Sequence, residues 1–382
     1  MGKRQGAVES LGVTMSASMY DRLKDHYKGR RVLVTGSTGF KGAWLCRMLT
    51  LLGAEVTGYA LTPPTEPSLW DIADLEAGVD QRMADIRDLE ALRKVFTEAQ
   101  PQTVLHLAAQ PLVIDSYDDP LYTYETNVMG TVNVLECVRT TESVESFLNV
   151  TTDKVYENLE RPGYGYREDD KLDGFDPYSN SKSCSELVTH SYAKSFFAPG
   201  SHGAAAGRRS ISTARAGNVI GGGDFAANRI VPDCVRAVEA GNALMIRNPN
   251  SVRPYQHVLE PLVAYLMIAM LQLEQPEVGG WYNIGPDDKD SVTTGELAEL
   301  FAKHWGEGFT YEVGQVDGPH EANFLKLDNT KAKECLGWNP VWGVNEAIEK
   351  TVEWTRAWLE GGDAAAAACL DGQIKSYLEE ME

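Results

Sequence analysis

Long hydrophobic runs are absent from the sequence. A helix that crosses a bilayer needs about 20 consecutive apolar residues, and no segment of this chain approaches that length. Residues 1 to 20 contain Lys3 and Arg4 but lack the apolar stretch of a secretory signal peptide. We therefore expect no membrane partner, and we expect residues 1 to 27 to form a disordered lead.

Cysteine is scarce, and its spacing excludes the common metal-binding patterns. The chain has six cysteines, with no CxxC pair and no cluster of cysteine with histidine. Most of them fall in apolar helical patterns, which favours buried free thiols. We expect no metal, and free thiols indicate a reducing compartment, the cytoplasm. The six are Cys46, Cys137, Cys184, Cys234, Cys335 and Cys369.

Basic residues are too few to balance the acidic ones. The 382 residues include 35 Lys and Arg against 55 Asp and Glu, which gives a formal net charge of -20. Such a charge repels nucleic acid and anionic membranes, so we expect no nucleic-acid partner. A small anionic substrate remains compatible, because a local pair of arginines outweighs distant charges that salt screens over roughly 10 Å.

The order of short apolar segments indicates an α/β fold. Hydrophobic residues make up 43% of the chain and charged residues 24%, as in soluble globular proteins. Apolar or β-branched runs at residues 31–35, 54–60, 103–107, 147–150 and 209–215 alternate with helical patterns. This alternation predicts a Rossmann-type, doubly wound parallel sheet, followed by a smaller C-terminal substrate domain.

A glycine turn follows the first predicted strand. Residues 36 to 42 read Gly-Ser-Thr-Gly-Phe-Lys-Gly, and a helical pattern begins at Ala43. A strand, a glycine turn and a helix in this order bind pyrophosphate over the helix N-terminus. The alternative, a tight turn without a ligand, stays open. The candidate cofactor-binding residues are Gly36, Thr38, Gly39, Phe40, Lys41 and Gly42.

The second predicted strand ends without the acidic residue that usually holds the adenosine ribose. Tyr59, Ala60 and Leu61 stand there instead. The missing carboxylate weakens the choice of NAD over NADP as the cofactor.

Tyr178 and Lys182 are the candidate base. If Asp176 and Pro177 open a helix, the two side chains stand four residues apart on one face. A phenol titrates near pH ~10, so its anion must be favoured by roughly 4 kcal/mol to act at neutral pH. A neighbouring lysine ammonium or a cationic nicotinamide ring supplies that stabilisation.

These residues carry a family resemblance over about residues 28 to 358. Thr152 with Tyr178 and Lys182 resembles the Ser/Thr…YxxxK triad of the extended short-chain dehydrogenase/reductases. The Thr-Asp pair at the strand end resembles the sugar-nucleotide 4,6-dehydratases, and residues 152 to 158, Thr-Asp-Lys-Val-Tyr-Glu-Asn, are most similar to the CDP-glucose dehydratases of that group.

The resemblance implies NAD as cofactor and adds residues around it. Asp85 and Ile86 are expected to flank the adenine, although Asp85 would also serve as a helix cap. Leu107, Ala108 and Ala109 are expected to lie against the nicotinamide ribose. His106 is interpreted as a core histidine, and Asn127 is expected to support the surroundings of Lys182.

The resemblance also implies a site for a sugar nucleotide. Asn218, in a glycine-rich segment, and Arg253 are expected to bind the diphosphate, because the arginine fork binds phosphate oxygens bidentately. A flexible linker and a surface salt bridge are the respective alternatives. Tyr255 is expected either to stack on the base or to pack in the core. The full set of implied substrate residues is Asn218, Arg229, Asn248, Arg253 and Tyr255.

The reaction implied by the resemblance is dehydration of CDP-glucose to the 4-keto-6-deoxy sugar. Tyr178 would remove the 4-hydroxyl proton, Thr152 would bind the sugar oxygen, and Lys182 would hold the ribose and lower the Tyr178 pKa. Asp153 would protonate the departing 6-hydroxyl. Lys154 would remove the C5 proton; alternatively it stabilises the enolate by its charge, or is a plain surface lysine.

Two rival functions and the chain's organisation complete these expectations. The rivals are an epimerase, reductase or dehydratase acting on another nucleotide sugar, and a non-catalytic dinucleotide-binding protein.

Residues 28–217 with 253–273 are expected to form the dinucleotide domain, and residues 218–252 with 274–360 the substrate domain. Residues 361–382 are expected to be a tail, and the branch's helix pairing implies a homodimer.

Overall fold

A parallel sheet organises the computed structural model, which describes residues 17–202, 207, 209–246, 248–314 and 324–381. Residues 1–16 of the predicted lead lie outside these ranges. The strands are β1 Arg31–Thr35, β2 Glu55–Ala60, β3 Asp80–Met83, β4 Thr103–His106, β5 Ser146–Thr152, β6 Ser210–Ala216, β7 Val219–Ile220, β8 Leu244–Ile246, β9 Val252–Arg253, β10 Gln256–His257, β11 Trp281–Ile284, β12 Val292–Thr293 and β13 Tyr311–Val313.

Helices flank the sheet and build the smaller part of the molecule. They are α1 Met19–Tyr27, α2 Phe40–Leu51, α3 Leu69–Ile72, α4 Leu89–Ala99, α5 Val113–Asp118, α6 Pro120–Tyr124, α7 Gly130–Thr140, α8 Pro177–Tyr192, α9 Ile230–Ala240, α10 Leu259–Glu274, α11 Thr294–Trp305, α12 Thr330–Leu336 and α13 Val344–Glu380.

Seven of the described strands form one sheet in the order β11-β6-β5-β4-β1-β2-β3. All its pairings are parallel. The chain order reverses between β1 and β4, and ligands bind in such sheets at the carboxyl ends beside this reversal. The predicted α/β class is confirmed.

Burial on both faces explains why the strand sequences are nearly continuous in apolar or β-branched residues. Every residue of β5 is buried. On one face α10 is buried from Leu259 to Gln272. The Ser146 hydroxyl donates to the Ala269 carbonyl at 2.9 Å, which ties β5 to that helix. The sheet therefore presents a rigid carboxyl edge.

The two ends of the described chain differ from the predicted lead and tail. Met19–Tyr27 is a helix, and the Tyr27 hydroxyl donates to the Leu266 carbonyl at 2.9 Å. α13 continues to Glu380 past a break at Gly362, and Leu370 and Ile374 are fully buried in the main core. A disordered lead and a free tail are therefore wrong for these residues, because each segment carries apolar side chains at helical spacing.

Two internal elements also depart from expectation. β11 pairs with β6 and so extends the main sheet, although the sequence places it in the substrate domain. The amphipathic pattern of residues 120–142 predicts one long helix, but a π-helical turn at Glu125–Met129 divides it. A separate core cluster joins α9, α11 and the first half of α13, all within the residues predicted to form the substrate domain.

In the ranges that the structure describes, no helix has the length and apolar character needed to cross a membrane.

Candidate active site

Gly36 and Gly42, at the two ends of the glycine-rich stretch after β1, have no room for a side chain. Gly36 has a φ of +73°, and a Cβ there would lie 2.8 Å from the Ala108 nitrogen. A Cβ on Gly42 would lie 2.0 Å from the Gly36 carbonyl oxygen. Gly39 precedes α2 without a side-chain cap, so the first N–H groups of the helix are left for an anion. This cradle fits a dinucleotide pyrophosphate.

Thr35 holds the neighbouring loop after β4. Its hydroxyl accepts from the Leu107 and Ala108 nitrogens at 3.2 Å each and contacts His106 Nδ1 at 2.7 Å. His106 Nε2 contacts the Thr131 hydroxyl at 3.0 Å. Burial lowers the His106 pKa to about 3, so the ring is neutral. The interpretation of His106 as a core histidine is confirmed.

Asn127 lies in the π-helical turn and connects that loop to α8. Its side chain accepts from the Gln110 nitrogen at 2.8 Å and donates to the Gln110 carbonyl at 3.1 Å. It also donates to the Ser181 hydroxyl at 2.9 Å, next to Lys182. π-helical turns are rare in proteins and occur frequently at functional sites.

Asp85 and Ile86 follow β3 at the same edge of the sheet. Asp85 accepts from the Arg87 backbone nitrogen at 2.8 Å and forms an ion pair with its guanidinium at 2.8 Å. The cap of α4 is Asp88, which accepts from the Ala91 nitrogen at 3.0 Å. The alternative role of Asp85 as that cap is therefore wrong, while its contact with adenine stays a prediction.

The end of β5 delivers Thr152 and Asp153 into the site. Thr152 Oγ1 donates to Asp153 Oδ1 at 3.0 Å and shares a hydrogen bond with Tyr178. Asp153 is 1% exposed, and its Oδ2 has no hydrogen-bond partner among the described residues. Burial raises the Asp153 pKa against the opposing charges of Lys154, Arg253 and Lys41. The carboxyl is thereby suited to hold a proton.

Tyr178 and Lys182 lie on α8, as the sequence predicts. Asp176 caps this helix by accepting from the Ser179 nitrogen at 2.9 Å, and Pro177 fits its first turn. Lys182 Nζ donates to the Val150 carbonyl at 3.1 Å. Burial lowers the Lys182 pKa to about 8, although the charge of Glu186 opposes this.

The Tyr178 pKa differs from the expectation. Burial raises it to about 12 and the charge of Asp153 acts in the same direction, while the hydrogen bond with Thr152 and the charge of Arg229 lower it only in part. Lys182 is not among the main charges that act on the Tyr178 pKa, and its ammonium donates to the Val150 carbonyl. Further positive charge beside the phenol is needed to make it a base at neutral pH.

Lys41, from the glycine turn, places a second ammonium group near Lys182 and Asp153. Burial lowers the Lys41 pKa to about 8, and the charges of Arg229 and Lys182 lower it further while Asp153 opposes them. The sequence identifies Lys41 only as part of the glycine turn. The fold places it among the catalytic candidates.

The segment after β6 forms the opposite wall of the site. A Cβ on Gly217 would lie 2.7 Å from Pro254 and 3.2 Å from Asp153 Oδ2. The Asn218 carbonyl accepts from the Gln256 nitrogen at 3.0 Å. Arg253 is 8% exposed and its charge acts on Asp153. Arg253 and Asp153 therefore belong to one site, and the surface salt bridge is wrong for this buried arginine.

The glycines at 221–223 are tightly packed. A Cβ on Gly222 would lie 2.1 Å from the Trp354 ring, and the Trp44 indole donates to the Gly222 carbonyl at 3.0 Å. The alternative of a flexible linker is therefore wrong. The close approach joins α2 to α13 behind the glycine turn.

The remaining candidate substrate residues occupy three different settings. Arg229 forms an ion pair with Asp224 at 3.0 Å, and its charge reaches Tyr178. Tyr255 is 3% exposed within the smaller core cluster, which favours packing over base stacking. Asn248 lies in the turn before β9, where its carbonyl accepts from the Ser251 nitrogen at 3.5 Å. Binding of substrate by Asn248 and Tyr255 stays a prediction.

Sequence reasoning missed Glu186, which is fully buried on α8. Its carboxylate accepts from Thr151, the residue before Thr152, at 2.5 Å. The available signal was its position, four residues after Lys182 and therefore on the same helix face.

Comparison with known proteins gives consistent matches over most of the chain. Residues 33–351 match the GDP-mannose 4,6 dehydratase family. CDP-glucose 4,6-dehydratase of Salmonella typhimurium is 44% identical over 359 residues, 93% of this chain and 98% of that enzyme. dTDP-glucose 4,6-dehydratase 1 of Escherichia coli is 27% identical over 355 residues, 85% of this chain and 92% of that enzyme.

Solved structures agree on the fold. The structure of UDP-glucose 4-epimerase from Thermus thermophilus in complex with NAD superposes with a TM-score of 0.71. Its sequence is 27% identical, and the match covers 85% of this chain and 99% of that one. With the site geometry and the extent of the sequence match, the chain belongs to the GDP-mannose 4,6 dehydratase family.

Proposed function

We propose that the chain is a CDP-glucose 4,6-dehydratase that converts CDP-D-glucose to CDP-4-dehydro-6-deoxy-D-glucose with NAD. The observation that carries this proposal is the buried Asp153, which directly follows Thr152 and has an Oδ2 atom that no described residue bonds, while burial raises the pKa of its carboxyl. Elimination of the 6-hydroxyl needs such an acid, whereas epimerisation at C4 does not. The 44% identity to the Salmonella enzyme supports the choice of substrate.

NAD fits the glycine turn, because the first N–H groups of α2 have no side-chain cap there. Its pyrophosphate would lie at the start of α2, and its nicotinamide ribose would lie near Lys182 and the loop that Thr35 holds. When bound, NAD accepts a hydride from C4, returns it to C6, and adds a positive charge that favours the Tyr178 phenolate.

The first half of the reaction belongs to Tyr178, Thr152 and Lys182. Tyr178 takes the proton of the sugar 4-hydroxyl, and Thr152 orients that oxygen through the hydroxyl that bonds the phenol. Lys182 is held at the Val150 carbonyl, within reach of the cofactor ribose. The ketone that forms at C4 acidifies the C5 hydrogen.

The second half belongs to Asp153 and Lys154, which follow Thr152 in a 3-10 turn. Lys154 takes the C5 proton, and Asp153 gives its own proton to the 6-hydroxyl, which departs as water. Lys154 returns a proton to C5 when the hydride reaches C6. Both groups would reach the sugar from the end of the same strand. The diphosphate is bound by Arg253 and Asn218, with Arg229 beside Tyr178.

A panel of nucleotide sugars tests this function. Incubation of the pure protein and NAD with CDP-, dTDP-, UDP- and GDP-linked sugars is expected to give a 4-keto-6-deoxy product chiefly from CDP-glucose, as followed by mass spectrometry. A clear preference for dTDP-glucose rejects the base assignment. A C4 epimer without loss of water rejects the dehydratase.

We expect NAD to bind less firmly than in relatives with an acidic ribose clamp. β2 ends in Tyr59-Ala60, and the side chain of the following Leu61 is exposed rather than a carboxylate. One missing charge-assisted hydrogen bond weakens binding by about 1.5 to 3 kcal/mol, or roughly 10- to 100-fold. Added NAD should therefore raise the activity of purified protein. Protein isolated saturated with NAD, or a preference for NADP, contradicts this.

A homodimer is proposed through α5 to α8. These helices expose the apolar side chains Ile114, Tyr117, Leu121, Met129 and Leu187. Leu121 is 69% exposed, and α5, α6 and α8 contact one another, so these apolar side chains lie on adjoining helices, as in a partner surface. Light scattering should give twice the monomer mass, and Leu121→Glu should lower it. A monomeric wild-type mass at working concentration removes the proposal.

The cellular setting is also a proposal. Cys46, Cys137 and Cys234 are buried free thiols, which supports a reducing, cytoplasmic compartment. The net charge of -20 supports a small-molecule substrate over nucleic acid.

A further inference from the structure

Glu186 is a buried carboxylate with four side-chain partners. Its Oε1 accepts from Thr151 Oγ1 at 2.5 Å, and its Oε2 accepts from Thr213 Oγ1 at 2.7 Å. Oε2 also lies 3.0 Å from Arg215 Nη2 and 3.1 Å from His190 Nε2. Both oxygens thus accept hydrogen bonds, one on Oε1 and three on Oε2.

The partners belong to the three elements that build the catalytic site. Thr151 precedes Thr152 and Asp153 at the end of β5. Thr213 and Arg215 lie on β6, whose last residue precedes Gly217. Glu186 and His190 lie on α8 with Tyr178 and Lys182. One side chain therefore fixes the helix against both strand ends.

The charge of Glu186 also reaches Lys182. Burial alone would raise the Glu186 pKa, but Arg215 and the hydrogen bonds bring it to about 2, so the carboxylate is ionised. The groups that face it are Arg215 and Tyr156 from across the site, and His190 and Lys182 from its own helix. Its negative charge favours the ammonium form of Lys182 against burial.

We propose that Glu186 is a positioning residue for the dehydration. It sets Tyr178 and Lys182 on α8 against Thr152 and Asp153 at the end of β5. It also provides the negative charge that balances the Lys182 ammonium. This rests on the proposed function, because it assigns Glu186 a role in that same site. A buried ion pair by itself is weak grounds for stability. This one bonds the strand end that precedes Asp153 and stands on the helix that carries Tyr178, which gives it a catalytic consequence.

Thr151→Val tests the positioning without disturbing the ion pair. The variant removes only the hydroxyl that joins β5 to Glu186, and we expect kcat to fall on the order of tenfold with KM and NAD affinity unchanged. The matched control is Thr189→Val, which removes an equally buried hydroxyl that accepts from Asn149 of β5 at 2.9 Å, farther from the strand end. Thr189→Val should have the same kcat as the wild type. Equal kcat in wild type and Thr151→Val overturns the positioning.

Glu186→Gln tests the charge. Loss of the negative neighbour lowers the Lys182 pKa, so the alkaline limb of the pH–rate profile should move to lower pH, while Thr151→Val leaves it in place. An unmoved limb in Glu186→Gln overturns the counter-charge. Glu186→Asp keeps the charge, so the alkaline limb of its pH–rate profile should stay at the wild-type pH even if its kcat is low.

All variants are assayed with whichever nucleotide sugar the wild-type protein converts. A wrong base assignment then changes the substrate in the assay and leaves the comparison among variants intact. If Glu186→Gln does not fold because Arg215 loses its partner, the positioning stays testable through Thr151→Val, whose unchanged kcat overturns it.

Discussion

Asp153→Asn is expected to lower the rate of product formation by roughly 10²- to 10⁴-fold, the usual contribution of a general acid. The amide has the same shape and still accepts from Thr152, so the fold should persist. What it lacks is a carboxyl that can donate a proton, a form that burial favours by raising the Asp153 pKa. Water loss from C6 then has no acid.

The intermediate that accumulates distinguishes this role from a general loss of activity. Oxidation at C4 depends on Tyr178 and should continue, so reduced nicotinamide should build up in the absorbance spectrum on mixing with CDP-glucose. Exchange of the C5 hydrogen with deuterated solvent should also continue. If the variant forms neither reduced cofactor nor exchanged sugar, Asp153 acts earlier than the elimination step.

Asp173→Asn provides the matched control. Asp173 lies on the same connection between β5 and α8 and forms an exposed ion pair with Lys171 at 2.8 Å. Exposed pairs contribute about 0 to 1 kcal/mol to stability, so kcat and the melting temperature should change little. A large loss in this control would indicate that the connection tolerates no substitution.

Local sequence patterns predicted the sheet and the cofactor cradle. β1, the glycine turn and α2 are adjacent in the chain, and their order alone determines the turn where Gly36 approaches Ala108. Strands buried on both faces reveal themselves by continuous apolar runs. The Tyr178 and Lys182 spacing likewise depends on one helix, which Asp176 and Pro177 begin.

Features set by distant packing were not predictable. The Tyr178 pKa depends mainly on how deeply the phenol is buried, and then on Thr152, Asp153 and Arg229 around it. The role of the C-terminal helix depends on the bidentate pair of Arg47 with Asp371, 324 positions apart. Pairings over such distances leave no local pattern, and the alanine run at 364–368 resembles a tail.

Lys154→Ala is expected to stop exchange of the C5 hydrogen while oxidation at C4 continues. As the base, Lys154 would account for roughly 10²- to 10⁴-fold of the exchange rate. Reduced nicotinamide should therefore accumulate, as in Asp153→Asn, but the recovered sugar should carry no deuterium at C5. Mass spectrometry of the sugar released after mixing in deuterated buffer measures this directly.

Lys154→Arg separates the base from a purely electrostatic role. Among the described residues the Lys154 ammonium forms no ion pair, and its charge already acts on Asp153. Arginine keeps that charge, but its guanidinium does not give up a proton in proteins. As a base, Lys154 cannot be replaced by arginine, and exchange stays lost. If Lys154→Arg restores exchange, or if Lys154→Ala exchanges at the wild-type rate, the residue is not the base; in the first case its charge stabilises the enolate and another group takes the proton.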